Sequence, residues 1–584
     1  MEKKLLIVIF MIATHLTVSG QYVRTKIHDK FNSFVEQIQT KYYIDLGTHS
    51  AIFPANVRNA FDSCRVHVAM FNEQELEELL FLKKQYDLIA SADESAPSET
   101  KVLEEKDGFY SYAEGEKLDE DKPILKYFYK NKNHFLSLDK GNFGLRLDPI
   151  LDLSYASATN DDQILFRNTQ GVELSAIIDN KLMVYTSIFE NQARFPTYVE
   201  DYITRFAAIP GNGLYKPYNS SVIDRLQGRD FLNAQAYVGI PLSKNIQIEL
   251  GHGKHFIGNG VRSLLLSDFS NNYLFLKFNA QFWKFHYQTI YAELNGSSPN
   301  ENIYSPNSAL LPKKYTANHY LSFRPNTRFE IGLFETVIFG RRDHLELQYL
   351  NPIILYQTVK QFLNSPDNVI VGFNASYSPV KKLKLYAQFV LDEFSLPNLR
   401  ARNGWWANKY SIQLGAKAID LVKGLDLGIE YNAARPYTYS HYQPIDTTVG
   451  NKTITSYSHY NQALAHPLGA NFKEVILTAD YQFNQKLSAH FASFFWTQGL
   501  DPANQNFGSD ILINYNSRTQ DFGNEIGQGI KTQIRNVRGN LSYEFFPNYV
   551  LDLNVLYRKA SSQSSTFLIG TGIRVNIAQQ NFDF

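Results

Sequence analysis

Residues 272–294 read Asn-Tyr-Leu-Phe-Leu-Lys-Phe-Asn-Ala-Gln-Phe-Trp-Lys-Phe-His-Tyr-Gln-Thr-Ile-Tyr-Ala-Glu-Leu, and this stretch decides the fold. From Leu274 to Phe282 every second residue is apolar, and the alternation resumes at Phe285. A period of two indicates a β-strand with one face in an apolar medium and the other in a wetter one. Each arm has about the 9–11 residues that a tilted strand needs to cross a bilayer. A soluble β-sandwich shows the same alternation, usually in strands of about 5–6 residues. The repetition of this hairpin along the chain therefore decides between the two folds.

The same hairpin pattern recurs along the chain, and the connections sort by length. Tight turns rich in Asn, Asp, Ser and Pro join the two strands of each hairpin, as hairpins require. The other predicted pairs are 171–179 with 181–188, 230–240 with 245–250, 317–324 with 327–338, 367–377 with 382–393, 409–418 with 424–432, 471–482 with 487–496, and 530–545 with 549–558. The long loops between hairpins are 191–229, 251–270, 295–316, 340–366, 394–408, 433–470 and 497–529.

Two unpaired strands complete the set, one at 142–153 and one at 566–577, which brings the predicted number to eighteen. An even number returns both ends of the chain to the side of the short turns. Even strand numbers, short periplasmic turns and long external loops are typical of bacterial outer-membrane barrels. The sequence therefore predicts an all-β fold, a transmembrane outer-membrane β-barrel of about 18 antiparallel strands over residues 136–584.

The first twenty residues have the features of a secretory signal peptide. Lys3 and Lys4 form the positive region, Leu5–Ala13 the apolar core, and Val18-Ser-Gly20 a small-residue cleavage site. A cytosolic protein with an apolar start is the alternative. We expect residues 1–20 to be a signal peptide, and the protein to lie in the cell outer membrane with its long loops at the cell surface.

Residues 21–135 differ from the rest of the chain. Asn72–Ala90 has leucines at helical spacing among Glu and Lys, with Asn72 as a candidate N-cap. Ser91–Lys122 is rich in Asp, Glu, Ser and Lys, a composition typical of a solvated linker. We predict a small, partly helical periplasmic region and linker, which could plug or brace the barrel or simply lead into it.

The overall composition excludes several classes of protein. Lys and Arg number 57 and Asp and Glu 57, so bulk charge gives no reason to expect a nucleic-acid partner. Cys64 is the one cysteine, which excludes an intrachain disulfide and a thiolate metal cluster. Aromatic residues make up 14% of the chain, which suits strands and membrane interfaces. We expect no cofactor.

The loop 251–270 carries the first group of candidate binding residues. It begins Gly251-His-Gly-Lys-His-Phe-Ile-Gly-Asn-Gly260, which does not have the spacing of a phosphate-binding loop. A zinc site at His252 and His255 lacks further ligands. The glycines also fit a backbone that bends closely against the barrel wall. We expect an ordered loop folded into the lumen, and the tentative ligands for a polysaccharide are Lys254, His255, Arg262 and Asp268.

The loop 340–366 predicts a helix. Asn351-Pro352 suits a helix start, and Ile353, Tyr356, Val359 and Leu363 follow at helical spacing. We expect this helical loop to plug the lumen, with core packing as the role of its apolar stripe. The cationic side chains before it could bind acidic sugars, or pair with predicted lumen acids Glu330 and Glu335; they are Arg341, Arg342 and His344.

Two outer loops are rich in aromatic residues. Trp405 and Trp406 are half of the four tryptophans, and they fit either membrane-interface anchors or a surface for stacking sugars. Loop 433–470 is dense in Tyr and His, and Tyr supplies rigid, amphipathic contact area. This composition favours a recognition loop.

A resemblance adds to this interpretation. Residues 251–268 with 271–277, and residues 342–356 with 365–372, resemble the Wzi-type capsule-assembly family, in particular its RemB-like members from gliding Bacteroidetes. The resemblance implies an eighteen-stranded outer-membrane barrel whose closed lumen and outer loops hold surface polysaccharide. This chain has a larger N-terminal region and longer loops at 433–470 and 497–529 than the enterobacterial members.

The predicted function is non-enzymatic. The chain has no G-x-S-x-G elbow and no H-E-x-x-H motif, although a hydrolase with a lumenal Ser and His stays an alternative. We expect a barrel that binds or retains capsule or exopolysaccharide, in support of gliding motility. The expected partners are outer-membrane lipid, surface polysaccharide and other outer-membrane or gliding-machinery proteins. The alternatives are a component of a multi-protein complex for secretion, adhesin display or barrel assembly, and a diffusion porin.

Overall fold

Eighteen antiparallel strands form a closed barrel in the computed structural model. The structure describes residues 24–88, 128–129, 131–159, 161–179, 181–220, 227–296, 311–340, 345–353, 355–442, 453–561 and 563–584. The barrel strands are β1 Phe143–Ala158, β2 Asp161–Ile178, β3 Leu182–Arg194, β4 Gln227–Pro241, β5 Ile246–Gly253, β6 Tyr273–Phe282, β7 Phe285–Asn295, β8 Lys313–Asn326, β9 Phe329–Phe339, β10 Asn368–Tyr377, β11 Leu383–Glu393, β12 Lys409–Val422, β13 Leu425–Ala434, β14 Phe472–Gln482, β15 Leu487–Leu500, β16 Ile530–Phe546, β17 Tyr549–Ala560 and β18 Thr566–Val575.

Each strand pairs with its neighbours in the chain, and β18 pairs with β1 to close the ring. Two short strands pair with barrel strands in addition: Leu136–Lys140 with β1, and Lys216–Asn219 with β4. The predicted fold class and the number of strands are therefore confirmed. The predicted strands were too short at one place, because β1 continues to Ala158 and β2 begins at Asp161, in residues that the sequence left unassigned.

The two faces of the strands differ as the alternation predicts. On β6, Leu274 is 51% exposed and Leu276 41%, whereas their neighbours Phe275 and Lys277 are buried. Leu276 lies opposite Tyr291 on β7, so the outward face continues from strand to strand through the register. The outer wall is an apolar belt suited to lipid, and the lumen holds the polar and charged side chains.

The N-terminal region lies at the short-turn end of the barrel. Its helices are α1 Lys30–Tyr42, α2 Val57–Val66 and α3 Glu73–Gln85, with a short 3₁₀ helix Val68–Met70. Asn72 caps α3 in a reciprocal capping box with Glu75, as its sequence suggests. Glu36 of α1 pairs with Lys384 at 2.9 Å and with Lys417 at 2.8 Å. Since both lysines are lumen-facing, the helices pack into that mouth of the barrel.

Protein segments from both ends meet inside the lumen. The two-residue strand Ile52–Phe53 of the N-terminal region pairs with Phe256–Ile257 of the outer loop between β5 and β6. The outer loop between β13 and β14, with the short hairpin Ser458–His459 and Gln462–Ala463, is also largely buried. Leu264, Leu266 and Leu464 belong to the resulting core. The loop 251–270 thus folds into the lumen, as predicted.

The helical loop 340–366 was predicted to plug the lumen, and this placement is wrong. It contains a 3₁₀ turn at Leu347–Leu350 and α5 at Tyr356–Leu363. Tyr349, Tyr356 and Val359 pack on Ala317 and Val337. Ala317 and Val337 share the outward face with Leu276, because Ala317 pairs with Tyr291 and with Val337. Residues 345–353 and 355–363, termed the outer-wall segment, therefore cover the outside of β7–β10.

The strand register also corrects the prediction that Glu330 and Glu335 both face the lumen. Glu330 faces the lumen, where its carboxylate accepts a hydrogen bond from Ser50 N at 3.0 Å. Glu335 lies an odd number of residues away and faces outward, opposite His319. There it accepts a hydrogen bond from Gln357 N, in the first turn of α5, at 3.2 Å. A carboxylate at a helix N-terminus is favourable, so Glu335 fixes the helix on the wall.

The remaining helices lie in outer loops. They are α4 Thr197–Phe206, α6 Leu396–Ala401 and a 3₁₀ turn Tyr515–Ser517. Among the described residues no helix combines the length and the apolar character that crossing a bilayer requires.

Candidate functional site at the outer rim

A cavity of about 470 Å³ opens at the outer rim, between the outer-wall segment and the loop 394–408. Its floor is formed by Val369, Val371 and Leu391 at the outer ends of β10 and β11. Its volume lies within the range of about 300–1,000 Å³ that ligand pockets have. The other lining residues of this rim cavity are Gln357, Lys360, Asn368, Asp392, Glu393, Phe394, Ser395, Trp405, Ala407 and His441.

Two adjacent carboxylates supply hydrogen-bond acceptors at this cavity. Asp392 and Glu393 both pair with Lys409, at 3.2 and 3.1 Å. Lys409 is fully buried, and it also donates to the Ser440 carbonyl at 3.0 Å. The second oxygen of Asp392, Oδ1, is buried without a hydrogen-bond partner among the described residues. Asp392 is also held by Tyr439 N, which donates to its Oδ2 at 2.8 Å, and its side chain is almost fully buried. The Glu393 side chain is 31% exposed, so its carboxylate is the one that can accept hydrogen bonds from hydroxyl groups of a ligand.

His441 also lines this cavity, and its side chain is neutral. One ring nitrogen lies 2.7 Å from the Pro366 carbonyl oxygen, so it donates a proton there. Burial, with the charge of Lys409 in addition, lowers the pKa of His441 to about 3. At neutral pH the ring therefore offers a hydrogen-bonding nitrogen without a charge.

An aromatic surface borders the cavity. Trp405 lies at the edge, with its ring 4.9 Å from that of Phe522, and Phe522 is 53% exposed. Trp406 is buried beneath it, 4.7 Å from the Tyr515 ring and under the Arg518 guanidinium. Exposed and half-buried rings beside polar groups provide flat apolar faces of the kind that stack against sugar rings.

The loop that carries the tryptophans is tied to a second outer loop. Trp406 N donates to the Asp521 carbonyl at 2.9 Å, and Asn524 N donates to the Gly404 carbonyl at 2.9 Å. Gly404 has a φ of +68°, and a Cβ at this position would lie 2.6 Å from Asn524 N. Glycine is therefore required here both by the positive φ and by the close approach of the two loop backbones.

The structure places the nine ligand-binding residues that the sequence analysis proposed in different parts of the molecule. Of the nine, Trp405 lines the rim cavity, and Trp406 packs beneath it. Lys254, His255, Arg262 and Asp268 all lie on the lumenal loop, away from the rim cavity. Arg341, Arg342 and His344 lie outside the described residues.

The four lumenal candidates have internal partners. Lys254 donates to the Gly211 carbonyl at 2.6 Å, and burial lowers its pKa to about 8. His255 lies 3.2 Å from the Tyr273 hydroxyl. Asp268 lies 2.6 Å from His28, and despite burial this histidine and Lys254 lower its pKa to about 2. Arg262 donates to the Asp583 carbonyl at 2.6 Å.

The carboxylates and His441 were not identified from the sequence. Asp392 and Glu393 follow an apolar strand, where charged residues ordinarily mark only the end of the strand. His441 was noted in a loop dense in His, but its position beside β11 depends on a contact between distant segments. Among the described residues, no group of His, Cys, Asp or Glu is arranged to hold a metal ion.

The fold and this rim geometry define the class, a closed antiparallel barrel of the outer-membrane type. No protein-family model matches the chain, and no curated protein matches it. It is similar in structure to Wzi of Escherichia coli, described as an outer-membrane, carbohydrate-binding β-barrel involved in group 1 capsule assembly. The identity is 11%, the match covers 96% of this chain and 100% of Wzi, and the TM-score is 0.50. OprD of Pseudomonas aeruginosa matches 74% of this chain and 94% of its own at 10% identity, with a TM-score of 0.40.

Proposed function

We propose that this protein is an outer-membrane barrel that binds or retains surface polysaccharide, capsule or exopolysaccharide, at the rim cavity. It acts without catalysis, after export directed by residues 1–20, and its long loops face the cell surface. The observation that carries the proposal is the combination of Trp405 with Asp392 and Glu393 around one cavity of about 470 Å³. The fold that it shares with Wzi, a carbohydrate-binding barrel, supports the same class of ligand.

The chemistry of the cavity suits a sugar better than a fully apolar ligand. Sugar rings present apolar C–H faces and peripheral hydroxyl groups, so they need flat aromatic faces together with acceptors and donors. Trp405 and Phe522 provide the former. The half-exposed Glu393 carboxylate provides acceptors, and Lys360 provides a donor. The apolar floor is continuous with the outer wall, so a sugar held there would lie beside the membrane surface.

A binding experiment tests this proposal. Polysaccharide purified from the native cell surface is titrated against the detergent-solubilised protein. Trp405→Ala and Glu393→Gln should each weaken binding by about tenfold or more, since each tenfold corresponds to about 1.4 kcal/mol. Trp283→Ala is the matched control, because Trp283 is 77% exposed at the short-turn end. Equal affinity of all variants would contradict a rim site.

The outer-wall segment favours a second candidate function, a component of a multi-protein outer-membrane complex. Four large apolar side chains of this segment point away from the barrel: Leu347, Ile353, Leu355 and Phe362. Irregular backbone at membrane depth is tolerated where protein covers it, so this surface suits a neighbouring protein. Support of gliding motility belongs to the first proposal, in which the barrel binds or retains polysaccharide, and the resemblance to RemB-like members is its basis. Loss of motility or secretion with surface polysaccharide intact, in a deletion strain, would favour the second candidate.

A further inference from the structure

The segment after the last strand runs back through the lumen. β18 ends at Val575 on the short-turn side, and residues 577–584 then extend inside the barrel to the outer helix α4. Tyr198 of α4 donates a hydrogen bond from its hydroxyl to the Phe582 carbonyl at 2.9 Å. Asp583 is buried at 8% exposure. These residues therefore occupy a lumenal site built by other parts of the chain.

Arginines hold the polar groups of this segment. Arg538 Nε lies 3.0 Å from the Asp583 carboxylate, and Arg262 donates to the Asp583 carbonyl at 2.6 Å. The guanidinium of Arg167 lies 5.7 Å from the centre of the Phe582 ring. Of these three guanidinium groups, that of Arg538 faces the Asp583 carboxylate. Arg167 pairs in addition with Asp152, and Arg262 with Glu474, each at 3.4 Å.

Aromatic side chains hold the end of the segment. The Phe584 ring lies 4.7 Å from that of Tyr202 and 5.6 Å from that of Phe269. Arginines joined to flat rings are the groups that recognise a carboxylated sugar, because the guanidinium fork fits a carboxylate and the rings stack on apolar faces. We term this site the tail groove; it consists of Arg167, Tyr198, Tyr202, Arg262, Phe269 and Arg538.

Two arginines of this part of the lumen depend on Asp583 or have no carboxylate partner: among the described residues, Arg538 pairs with Asp583 alone, and Arg558 forms no ion pair. Arg558 faces the same part of the lumen, with its guanidinium 4.3 Å from the centre of the Tyr198 ring and 5.3 Å from that of Trp496. It is 8% exposed, and its Nε and Nη1 have no hydrogen-bond partner among the described residues. Buried arginines are normally paired. Without Asp583, Arg538 would lose its carboxylate partner and would resemble Arg558, which has none among the described residues.

A narrow cavity of about 160 Å³ runs beside the segment. Its lining extends from Arg574, near the short-turn end of β18, to Arg194 at the outer end of β3. Between these levels its lining includes the amides of Asn540, Asn554 and Gln579 and the guanidinium of Arg538. It also includes two ion pairs, Arg167 with Asp152 and Arg574 with Asp552. The space is therefore elongated along the barrel wall, as a chain-like ligand requires.

We propose that the tail groove binds a chain of carboxylated sugar units, and that residues 582–584 occupy it as an internal competitor. This inference rests on the proposed binding of polysaccharide and adds an acidic substrate class and a second, lumenal subsite. Asp583 takes the place of a ligand carboxylate at Arg538, and Phe584 takes the place of a stacked ring. An internal competitor lowers the apparent affinity in proportion to the fraction of time that it occupies the groove.

The test uses the full chain in detergent with two hexasaccharide probes, hexagalacturonate and neutral maltohexaose. The double variant Asp583→Asn with Phe584→Ala should bind hexagalacturonate at least tenfold more tightly than the unmodified protein, with no change for maltohexaose. Adding Arg558→Gln or Arg538→Gln to the double variant should remove the gain. Ala578→Ser, at an exposed position of the same segment, is the matched control and should change neither affinity.

Two results would overturn the proposal: unchanged affinity for hexagalacturonate in the double variant, or an equal gain for both probes. Gel mobility of the unheated protein verifies that each variant keeps its barrel. Trp405→Ala separates this proposal from the rim site. If it abolishes binding of the surface polysaccharide while the tail variants have no effect, the tail groove fails and the proposed function stands. If the tail variants alone alter binding, the rim site fails.

Discussion

The outer wall of this barrel has a bare sector and a covered one. On β17 and β18 the outward side chains are apolar and open, with Leu551 and Leu553 exposed at 47% and 45%. On β8 and β9 the outward Ala317 and Val337 are almost fully buried beneath the outer-wall segment. The covered sector also carries polar outward residues in one row across β7, β8 and β9: Thr289, His319 and Glu335.

This difference shows what decides whether an outward position can be polar. Lipid offers no hydrogen bonds, so a carboxylate facing it is costly. Under the outer-wall segment, Glu335 instead meets the first turn of α5, and the His319 ring lies 4.1 Å from that of Tyr356. The segment and the polar row are therefore each other's partners, and neither is suited to stand alone in the bilayer.

The largest effect is expected from removing the aromatic contact between segment and wall. Tyr356 is fully buried, so Tyr356→Ala should lower the free energy of unfolding by about 3–5 kcal/mol, as for other large aromatic truncations. Urea unfolding in lipid vesicles measures this change. Phe362→Ala, on the exposed face of the same helix, is the control and should have little effect. Equal effects would show that the contact is not formed.

A charge on the bare sector should have the next largest effect. Leu553→Arg places a cation in the lipid-facing wall, and such substitutions cost about 2–4 kcal/mol near the bilayer midplane. Leu553→Met keeps the apolar character and serves as the control. The same unfolding measurement applies. An arginine tolerated without cost would contradict the assignment of this face to lipid.

A smaller effect is expected at the carboxylate that caps α5. Glu335→Gln removes the negative charge at the helix N-terminus, so it should cost about 0.5–2 kcal/mol. The loss should be local, and amide hydrogen exchange should increase in residues 355–363. Glu293→Gln is the control, because Glu293 pairs with Lys313 at the surface. Unchanged exchange would show that the helix is held by its apolar contacts alone.

The smallest effect is a pH dependence that should distinguish the lumen from the wall. Asp268 raises the pKa of His28 above 6.5, so this pair contributes fully below pH 6.5 and weakens as the pH rises through the raised value. Asp268, with its pKa lowered from 3.8 to about 2, contributes above pH 3.8 and is lost on further acidification. Because the His28 side chain is 69% exposed, we expect a small effect.

Hydrogen exchange of residues 24–30 at pH 5.5 and pH 9, corrected for intrinsic rates, measures it. The amides should be less protected at pH 9, and His28→Gln should remove the difference. The outer-wall segment contains no histidine and should show no comparable change between these two pH values. Equal pH dependence in both regions would contradict the role of His28.

The sequence predicted the barrel well because lipid enforces a strict period of two. It failed where that constraint ends: the outer parts of β1 and β2 contain polar residues such as Ser157 and Gln163, so their strand extensions were not recognised. The helix at Tyr356 and Val359 was recognised by spacing, but an apolar stripe does not say which surface it covers. The odd separation of Glu330 and Glu335 already indicated opposite faces.

The candidate site was predictable only in part. Trp405 stood out because tryptophan is rare in this chain, and its role near a strand end follows from general chemistry. Asp392, Glu393 and His441 form a site only in the folded protein, where β11, β12 and the loop after β13 come together around Lys409. No pattern along the chain encodes that meeting, since the residues are far apart in sequence.

The pairing of Ile52–Phe53 with Phe256–Ile257 links the two mouths of the barrel. A loop that begins at the cell-surface end is hydrogen-bonded, deep inside, to the stretch that continues into the helices at the opposite end. A displacement of this outer loop would therefore be transmitted through the pairing to the N-terminal region at the other mouth. Packed protein therefore connects the two openings through the interior of the barrel.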